Sequence, residues 1–394
     1  MLGAGAAGLM AAIHAARAAA RVVVIEKTAD GGRKILISGG ERCNVLPSMS
    51  APERFVTAGP AHLLKRLLRS FPLHEQRGFF EQDAGIPLEL EEESGKLFPQ
   101  SNRARDVRDV LVRLAADAGA EFRWKTAVTG VERVDDSWRV SVDAGDAITA
   151  RAVIVATGGL SVPATGSDGA GLEMARALGH RMIPTYAALT PLLTNDAAHT
   201  ALSGLSLTAA VRSPAAGKQA RSTAGFLFTH RGYSGPSVLD VSHGYTRDRG
   251  DVLAAWNDIP RAEWEEALQE RTGLVATRVA SRVPARLADM LVASAGIPAD
   301  RRLAELRRDE RSRLLTQLVD YRLPVSGDEG YKKAEVTGGG VALDAVDPLT
   351  LESRRHPSLY FCGEVLDAFG PIGGHNFQWA WSTGRAAGLA AAGV

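Results

Sequence analysis

The chain begins with a glycine motif that is compatible with few folds. Gly3, Gly5 and Gly8 have the spacing G-x-G-x-x-G, which is typical of a dinucleotide-binding turn between a strand and a helix. The first glycine permits the tight turn, the second lets a pyrophosphate approach the backbone, and the third lets the helix pack closely on the sheet. The motif therefore predicts a helix over about residues 6–20, with the amides of Ala6 and Ala7 directed at phosphates.

The segment after this helix supports the same interpretation. Residues 21–25 predict a buried parallel strand that ends at Glu26, 18 residues after Gly8. A carboxylate at about this distance binds ribose hydroxyls, and Glu26 favours a free ribose over a 2′-phosphate even with Lys27 beside it. A flexible glycine-rich loop is the alternative for the glycines alone, and the helix, the strand and Glu26 together argue against it.

The strand that should lead into the glycine turn is almost absent, because only Met1 and Leu2 precede the motif. We therefore expect the natural chain to begin several residues earlier, and we expect loss of this central strand to weaken cofactor binding. Intact-mass measurement of the native protein tests this expectation, because a mature chain that begins at Met1 would contradict it.

Length and composition restrict the class of protein. A chain of 394 residues predicts two or three domains, and a hydrophobic content of 45% is ordinary for a globular protein. The net charge of +1 gives no general attraction to nucleic acid or to anionic membranes, so neither is predicted as a partner. Two cysteines form no disulfide framework or metal site, and no apolar run approaches ~20 residues. These features predict a cytoplasmic protein and leave its oligomeric state open.

A basic loop with two glycine pairs follows the strand at residues 31–44. Its side chains include donors for the carbonyl groups of a flat polar ligand or for a substrate anion. These are Lys34, Ser38, Arg42 and Asn44. A solvated surface loop is the alternative. Cys43 has no second cysteine near it in the sequence, which favours a packing role over a redox role.

Two later glycine-rich segments follow buried strands, as a nucleotide fold requires. Residues 152–155 predict a strand that runs into Ala156, Thr157, Gly158 and Gly159. Residues 359–362 predict a strand that ends at Gly363 and Glu364, where a carboxylate can bind a ribityl hydroxyl. The loop 370–376 precedes a last helix over about residues 377–392, whose N-terminal dipole would stabilise an anionic reduced flavin.

The order of elements predicts an interrupted nucleotide fold. Residues 1–185 and 334–394 are predicted to form the two parts of a cofactor-binding domain. Short alternating stretches at 186–255 and 321–333 predict an inserted antiparallel β domain, and residues 256–320 predict a helical subdomain. The arginines of this subdomain are interspersed with acidic residues, which favours a solvated helix face over an anion or nucleic-acid contact.

The inserted domain contains a polar motif at residues 225–236. His230 or Tyr233 is a candidate for an acid or base that faces a substrate, although a structural histidine is the commoner role. Arg42 is the third catalytic candidate. The sequence assigns no catalytic acid.

Five motifs in this order resemble those of the BaiN/YhiN-type flavoproteins, NAD(P)/FAD-dependent oxidoreductases of which some are named aminoacetone oxidase-like. The resemblance runs over nearly the whole chain. The motifs lie at 3–8, 32–44, 156–159, 228–236 and 363–378. His375 stands where the family often has an aromatic residue, so the contact at the flavin edge is expected to differ.

The resemblance implies non-covalently bound FAD in an α/β fold of the two-dinucleotide-binding type. This fold is a Rossmann-like parallel sheet with helices, interrupted by a β-rich domain with a helical appendage. The residues predicted to contact FAD are Gly3, Gly5, Ala6, Ala7, Gly8, Glu26, Lys27, Gly32, Arg33, Lys34, Ser38, Gly39, Arg42, Cys43, Asn44, Val128, Ala156, Thr157, Gly158, Gly159, Gly363, Glu364, Asp367, Gly373, Gly374, His375, Asn376 and Phe377.

We therefore predict an FAD-dependent oxidoreductase. NAD(P)H is expected to transfer hydride to flavin N5, and the reduced flavin to reduce an unsaturated, enone-type small molecule or O2. The chain has one dinucleotide fingerprint, so NAD(P)H is expected only as a transient reductant at the open flavin face. The alternatives are an amine oxidase that uses O2, and an RNA-associated protein that carries flavin and binds RNA in a salt-dependent way.

Overall fold

The computed structural model describes residues 1–217 and 220–394, and these divide into two compact units. The first unit comprises Met1–Thr185 and Val336–Val394, and the second comprises Tyr186–Glu335. The α-helices are α1 Ala6–Arg17, α2 Arg33–Ile37, α3 Ala61–Ser70, α4 Leu73–Gly78, α5 Ala104–Asp117, α6 Ala170–Ala177, α7 Ala197–Thr200, α8 Pro236–Val241, α9 His243–Thr246, α10 Arg261–Ala267, α11 Val275–Ala280, α12 Ala285–Ser294, α13 Arg308–Val319 and α14 His375–Ala392.

Short strands alternate with these helices along the chain. They are β1 Val23–Ile25, β2 Leu46–Pro47, β3 Leu88–Glu91, β4 Lys96–Pro99, β5 Glu121–Arg123, β6 Val128–Val134, β7 Ser137–Val142, β8 Ile148–Ala150, β9 Val153–Val155, β10 Met182–Ala188, β11 Leu192–Leu193, β12 Ser206–Arg212, β13 Arg221–Thr229, β14 Gly232–Ser234, β15 Leu253–Trp256, β16 Tyr321–Arg322, β17 Gly327–Asp328, β18 Val336–Val341 and β19 Leu359–Phe361.

A parallel sheet forms the centre of the first unit. Strand β1 pairs in parallel with β5, and β9 pairs in parallel with β19. Leu2 joins the two pairs, since it forms parallel bridges to both Ile25 and Val155. Leu2, which is buried, thus occupies the centre of the sheet. This is the position where the sequence predicted a strand that is almost absent.

The first and last helices of the chain pack closely against each other. Most of α1 is buried, and α14 places Gly384 and Gly388 against it. A Cβ at these glycines would lie 2.4 Å from the carbonyl oxygens of Ala7 and Ala11, so only glycine permits this approach. The contact holds the N-terminus of α1, directly after the glycine motif, in a defined position. The predicted helix over 6–20 ends earlier, at Arg17, because Ala19 has a φ of +61°.

The second unit contains a seven-stranded sheet in the order β16-β15-β12-β13-β14-β11-β17, whose assigned pairings are antiparallel. Its inward-facing aromatic residues and helices α10 to α13 share one hydrophobic core, with Trp256 and Trp264 among its fully buried side chains. Residues 256–320, predicted as a helical subdomain, therefore lie in the same unit as this sheet. No helix in the described part of the chain combines the length and apolar character needed to cross a membrane.

Candidate functional site

The glycine motif adopts the geometry that its spacing predicts. Gly3 has a φ of +97°, and a Cβ at Gly8 would lie 2.1 Å from the Gly3 carbonyl oxygen, so both positions require glycine. Gly5 differs, because a Cβ there would have no atom within 4 Å. The open space beside Gly5 adjoins the N-terminus of α1, where unpaired amides favour an anion.

Glu26 lies beside this turn at the end of β1. Its carboxylate accepts hydrogen bonds from the Ala4 amide at 2.8 Å, the Thr28 amide at 2.8 Å and the Thr28 hydroxyl at 2.7 Å. These bonds hold the carboxylate at the end of β1. Oε1 accepts both bonds from Thr28, so the second lone pair of Oε2, which accepts from Ala4, is the one available to a ribose hydroxyl. Lys27, next in sequence, forms an ion pair of 2.5 Å with Asp168.

A second polar cluster joins four segments that are far apart in sequence. Lys34 Nζ lies 2.5 Å from Glu364 Oε2 and 2.5 Å from Ser161 Oγ. Glu364 Oε1 accepts hydrogen bonds from the Ser161 hydroxyl at 2.6 Å and from the Thr337 amide at 3.0 Å. The Thr337 hydroxyl accepts from the amides of Leu160 and Ser161. We call Lys34, Ser161, Thr337 and Glu364 the lysine–glutamate cluster.

The sequence reasoning missed Ser161 and Thr337 as site residues. Thr337 is fully buried on β18, and a Cβ at Gly159 would collide with its side chain at 2.4 Å. The available signal was a threonine directly before three glycines on a strand, a position where the backbone of another segment approaches closely.

The segment after β9 leaves one polar atom without a partner. The Thr157 hydroxyl oxygen is buried and has no hydrogen-bond partner among the described residues. Ala156 is buried, Gly158 and Gly159 continue the loop, and Gly171 at the start of α6 faces Thr157 so closely that a Cβ would lie 2.0 Å from its hydroxyl. A buried hydroxyl without a partner is typical of a place where a ligand or water completes the site.

The basic loop forms a short helix and then a buried turn. Arg33, the first residue of α2 after Gly32, pairs with Asp30, and this guanidinium lowers the pKa of the Asp30 carboxyl. Arg42 pairs with Glu91 at 3.0 Å and lies 4.0 Å over the ring of Phe98. These contacts leave Arg42 half-buried, and the Phe98 ring occupies one face of its guanidinium group.

The remaining predicted residues of this loop have mainly local contacts. The Ser38 hydroxyl donates to the Ile35 carbonyl, and a Cβ at Gly39 would press on the amide of Asn44. Cys43 is fully buried, and burial raises the pKa of its thiol to about 12, so it stays protonated. Val128 lies at the start of β6, half-buried and paired with Val142.

The last glycine-rich loop leads into α14. Gly374 precedes the helix with a φ of +94°, and a Cβ there would lie 2.5 Å from the backbone of Leu46. The Asn376 amide exchanges two hydrogen bonds with the backbone of Gly370, which closes the loop that contains Gly373. Asp367 accepts from Thr57 and Ala58.

Two further predicted residues lie on or beside α14. Phe377 stacks on Trp381, and Gly363 donates its amide to the Thr383 hydroxyl. Both contacts are within the first unit, as are all the predicted FAD contacts.

His375, the first residue of α14, is a neutral imidazole at physiological pH. Burial, with a smaller effect of the Arg54 charge, lowers the pKa of His375 to about 4. A histidine whose pKa is lower in the folded state stabilises the fold fully above its unfolded pKa of about 6.5. This contribution is lost as the pH falls from about 6.5 towards 4, because the unfolded chain then takes up a proton that the folded state does not.

We expect the free energy of unfolding to fall by about 3 kcal/mol over this pH range through His375 alone. The variant His375→Phe should fill the same space beside Phe55 and show a smaller decrease. The decrease should not vanish, since His14 and His243 have pKa values that burial lowers in the same way. Denaturant titrations between pH 7 and pH 4 measure the difference, and identical pH profiles would contradict it.

The structure places Tyr233, one of the catalytic candidates, inside the core of the second unit. Tyr233 is fully buried, and its hydroxyl lies 2.8 Å from His199 Nδ1, while His199 Nε2 lies 2.6 Å from the Tyr321 hydroxyl. Burial raises the pKa of Tyr233 above its ordinary value, so the hydroxyl stays protonated. His230 lies exposed in the turn between β13 and β14.

The variant Tyr233→Phe should therefore act on stability and not on catalysis. Loss of the hydroxyl leaves a buried nitrogen of His199 without its partner, which we expect to destabilise the protein by about 1–3 kcal/mol. Steady-state reduction rates should stay within about twofold of wild type at a temperature where both proteins are folded. A large loss of kcat at unchanged stability would restore Tyr233 as a catalytic candidate.

Almost the whole chain matches a described family. The model of the HI0933-like protein Rossmann domain matches residues 1–390. The chain belongs to this family. This confirms the resemblance that the five motifs indicated.

Two relatives of known name cover almost the full chain. The chain is 33% identical over 393 residues to the ribosomal RNA dihydrouridine synthase of Escherichia coli strain K12, with 97% of this chain and 95% of that protein covered. It is 29% identical over 418 residues to the 3-dehydro-bile acid delta(4,6)-reductase of Clostridium scindens, with 100% and 98% covered.

A solved structure shows the same fold at low sequence identity. The 3-ketosteroid-delta4-(5alpha)-dehydrogenase of Rhodococcus jostii superposes with a TM-score of 0.53 at 16% identity, with 99% of this chain and 95% of that chain covered. The predicted fold class, a Rossmann-like fold of the FAD-binding oxidoreductases, is confirmed. Membership of this family makes the protein an oxidoreductase.

Proposed function

We propose that the protein is an FAD-dependent reductase of carbon–carbon double bonds conjugated to a carbonyl group, and that its substrate is a uracil base in ribosomal RNA. The observation that carries this proposal is the 33% identity to a ribosomal RNA dihydrouridine synthase over nearly the full length of both chains. Such coverage leaves no large domain of that relative unmatched. It therefore supports a shared substrate class as well as a shared fold.

The chemistry implied by the two relatives' names is the same at the reacting bond. Conversion of uridine to dihydrouridine adds a hydride to C6 and a proton to C5, across a double bond conjugated to the C4 carbonyl. Reduction of a 3-dehydro-Δ4 steroid adds a hydride and a proton across a double bond conjugated to the 3-keto group. The same kind of reductase site can catalyse both reactions, provided that its pocket admits the substrate. Both substrates belong to the enone class that the sequence predicted.

The residues of the first unit fit FAD on three observations. The open space beside Gly5 at the N-terminus of α1 suits a pyrophosphate, and the fixed carboxylate of Glu26 suits the adenosine ribose. The buried Thr157 hydroxyl lacks a partner that a ligand would supply. When bound there, FAD would supply the hydride for the double bond.

The lysine–glutamate cluster is proposed to act on the flavin part of the cofactor. Glu364 has its oxygens directed by Lys34, Ser161 and the Thr337 amide, which fits it to receive a ribityl hydroxyl at a fixed position. The Lys34 ammonium, which is paired with Glu364, would contribute positive charge to the site that holds the flavin part of the cofactor. The other predicted FAD contacts of the first unit stay predictions.

NAD(P)H is proposed as the source of reducing equivalents, bound transiently. The chain offers one dinucleotide fingerprint, at Gly3, Gly5 and Gly8, and we assign this to FAD. Near-neutral net charge led to the expectation that nucleic acid is not a partner. The name of the 33% identical relative argues against that expectation. A net charge near zero is compatible with RNA binding, because electrostatic attraction to RNA requires only a local basic surface.

The proposal is tested by a defined reaction. FAD-loaded protein is mixed anaerobically with NADH or NADPH and with 16S and 23S ribosomal RNA transcribed in vitro, and dihydrouridine is measured by mass spectrometry of digested RNA. We expect bleaching of the flavin by at least one nicotinamide and formation of dihydrouridine at a defined site. Bleaching without RNA product, together with turnover of a 3-keto-Δ4 steroid, would favour the small-molecule reductase. Peroxide release from small amines without nicotinamide would favour the amine oxidase.

A further inference from the structure

Three arginines stand in register on neighbouring strands of the second unit. Arg221 on β13 pairs directly with Arg212 on β12, Arg212 pairs with Leu253 on β15, and Leu253 pairs with Arg322 on β16. Residues in register across antiparallel strands point to the same face of a sheet. The three guanidinium groups therefore lie on one face, along a row of four strands that spans roughly 14 Å between the outer strands.

This row lies on the face of the sheet that is open to solvent. Phe226, Phe228 and Trp256, on the alternate positions of the same strands, are fully buried. The next row on the arginine side consists of the small residues Thr223, Ala210 and Ala255, which are exposed or half-buried. Arg212, Arg221 and Leu253 of the first row border a groove of about 420 Å³, together with the second row, Asp258 and Val319; Arg322 is not among its lining residues.

Two of the three arginines of the row form ion pairs, and a third carboxylate, Asp258, borders the groove. Arg212 donates to Asp320 at 2.5 Å and Arg322 pairs with Asp251 at 2.7 Å. Arg221, in contrast, forms no ion pair with a carboxylate in the described part of the chain. Because a guanidinium carries five N–H donors, a single carboxylate leaves several of them available.

Arg212 and Arg221 place like charges directly opposite each other on antiparallel strands, and Asp320 pairs with only one of the two, Arg212. Like charges directly opposite each other on antiparallel strands are destabilising. An anion that contacts both side chains would remove this repulsion in the complex.

We propose that this arginine row binds the phosphate backbone of the RNA substrate; this inference rests on the proposed function. The planar guanidinium can bind two phosphate oxygens at once. The small side chains of the adjacent row leave open space in which a nucleic-acid backbone can approach the arginines. The aromatic residues of these strands face the core, so base stacking is not available on this face. The row positions RNA by its phosphates and does not read its bases.

The test compares three variants with wild type, using the FAD-loaded full chain and in vitro transcribed ribosomal RNA. Arg221→Gln removes one charge, and Arg221→Glu creates an opposite-charge pair with Arg212. The control is Arg139→Gln, an exposed arginine that pairs across strands with Glu132 in the first unit. The readouts are RNA affinity at several salt concentrations, the thermal midpoint, and flavin reduction by nicotinamide in the absence of RNA.

We expect both Arg221 variants to weaken RNA binding while the control does not. The slope of log affinity against log salt should become less negative by about 0.7–0.9 for each phosphate group that the variant no longer neutralises. Arg221→Glu should bind RNA most weakly and yet have a thermal midpoint at or above that of wild type. Flavin reduction without RNA should be unchanged in all variants.

The outcomes separate this inference from the proposed function. If wild type forms dihydrouridine and the Arg221 variants bind RNA with the wild-type affinity and salt slope, the arginine row does not bind the RNA and the proposed function stands. If wild type neither binds ribosomal RNA nor forms dihydrouridine, the proposed function fails and the inference fails with it. A lower thermal midpoint for Arg221→Glu would contradict the repulsion on which the inference depends.

Discussion

The variant Gly5→Val is expected to fold normally and to lose FAD. Gly5 has φ −77° and ψ −173°, a backbone conformation that valine adopts readily, and a Cβ there meets no atom within 4 Å. The added methyl groups would fill the space that we assign to the pyrophosphate. We expect FAD affinity to fall by a factor on the order of 100 or more, which corresponds to about 2.7 kcal/mol. Titration of the apoprotein with FAD measures this change.

Two comparisons make this result specific. The thermal midpoint of Gly5→Val apoprotein should equal that of wild-type apoprotein, which excludes unfolding as the cause. Gly8→Ala should behave in the opposite way, because its Cβ would lie 2.1 Å from the Gly3 carbonyl oxygen and must displace the backbone. That variant should be destabilised as an apoprotein. Gly5→Val protein that retains FAD with the wild-type affinity would show that the pyrophosphate does not lie beside Gly5.

Replacement of Glu364 by alanine is expected to produce the second large effect. The carboxylate holds Lys34, the Ser161 hydroxyl and the Thr337 amide, and the side chains of the Lys34–Glu364 pair are only 25% and 17% exposed. Removal of one partner from a mostly buried ion pair leaves the other charge without compensation. We expect a loss of about 2–4 kcal/mol in the free energy of unfolding, measured by denaturant titration of the apoprotein.

A surface ion pair provides the matched control for this prediction. Glu121 and Arg123 also form an ion pair, but their side chains are 62% and 40% exposed. Glu121→Ala should therefore change stability by less than about 1 kcal/mol. Equal effects of the two substitutions would contradict the role assigned to the lysine–glutamate cluster. FAD titration of Glu364→Ala at a temperature where it is folded then tests the proposed ribityl contact separately.

Much of the fold was predictable because its signals are local in sequence. The spacing of Gly3, Gly5 and Gly8, the apolar run that becomes β1, and the glycines before α14 each specify a turn or an element over a few residues. The short stretches in which apolar and polar residues alternate likewise predicted antiparallel strands such as β12 and β13. Alternation with a period of two residues indicates a strand with one face buried. The five motifs together predicted the family, which the comparison confirms.

The position of Tyr233 in the core was not predictable, because burial is not a local property. A tyrosine beside histidine, arginine and glycine in a polar motif has the composition of an active-site loop. In the structure the register of β13 and β14 directs Tyr233 into the aromatic core, where it meets His199. That partner lies 34 residues earlier in the chain, and no pattern near Tyr233 indicates it.

The sequence by itself determined that this chain builds a nucleotide-binding turn, because backbone geometry at the glycines and the offset to Glu26 depend only on neighbouring residues. Only the tertiary structure decided which polar groups meet. Lys34 reaches Glu364 across 330 residues, and Arg221, Arg212 and Arg322 form one row through strand register. Such contacts result from the packing of whole elements against a common core, and the free energy that selects one register is distributed over many buried side chains.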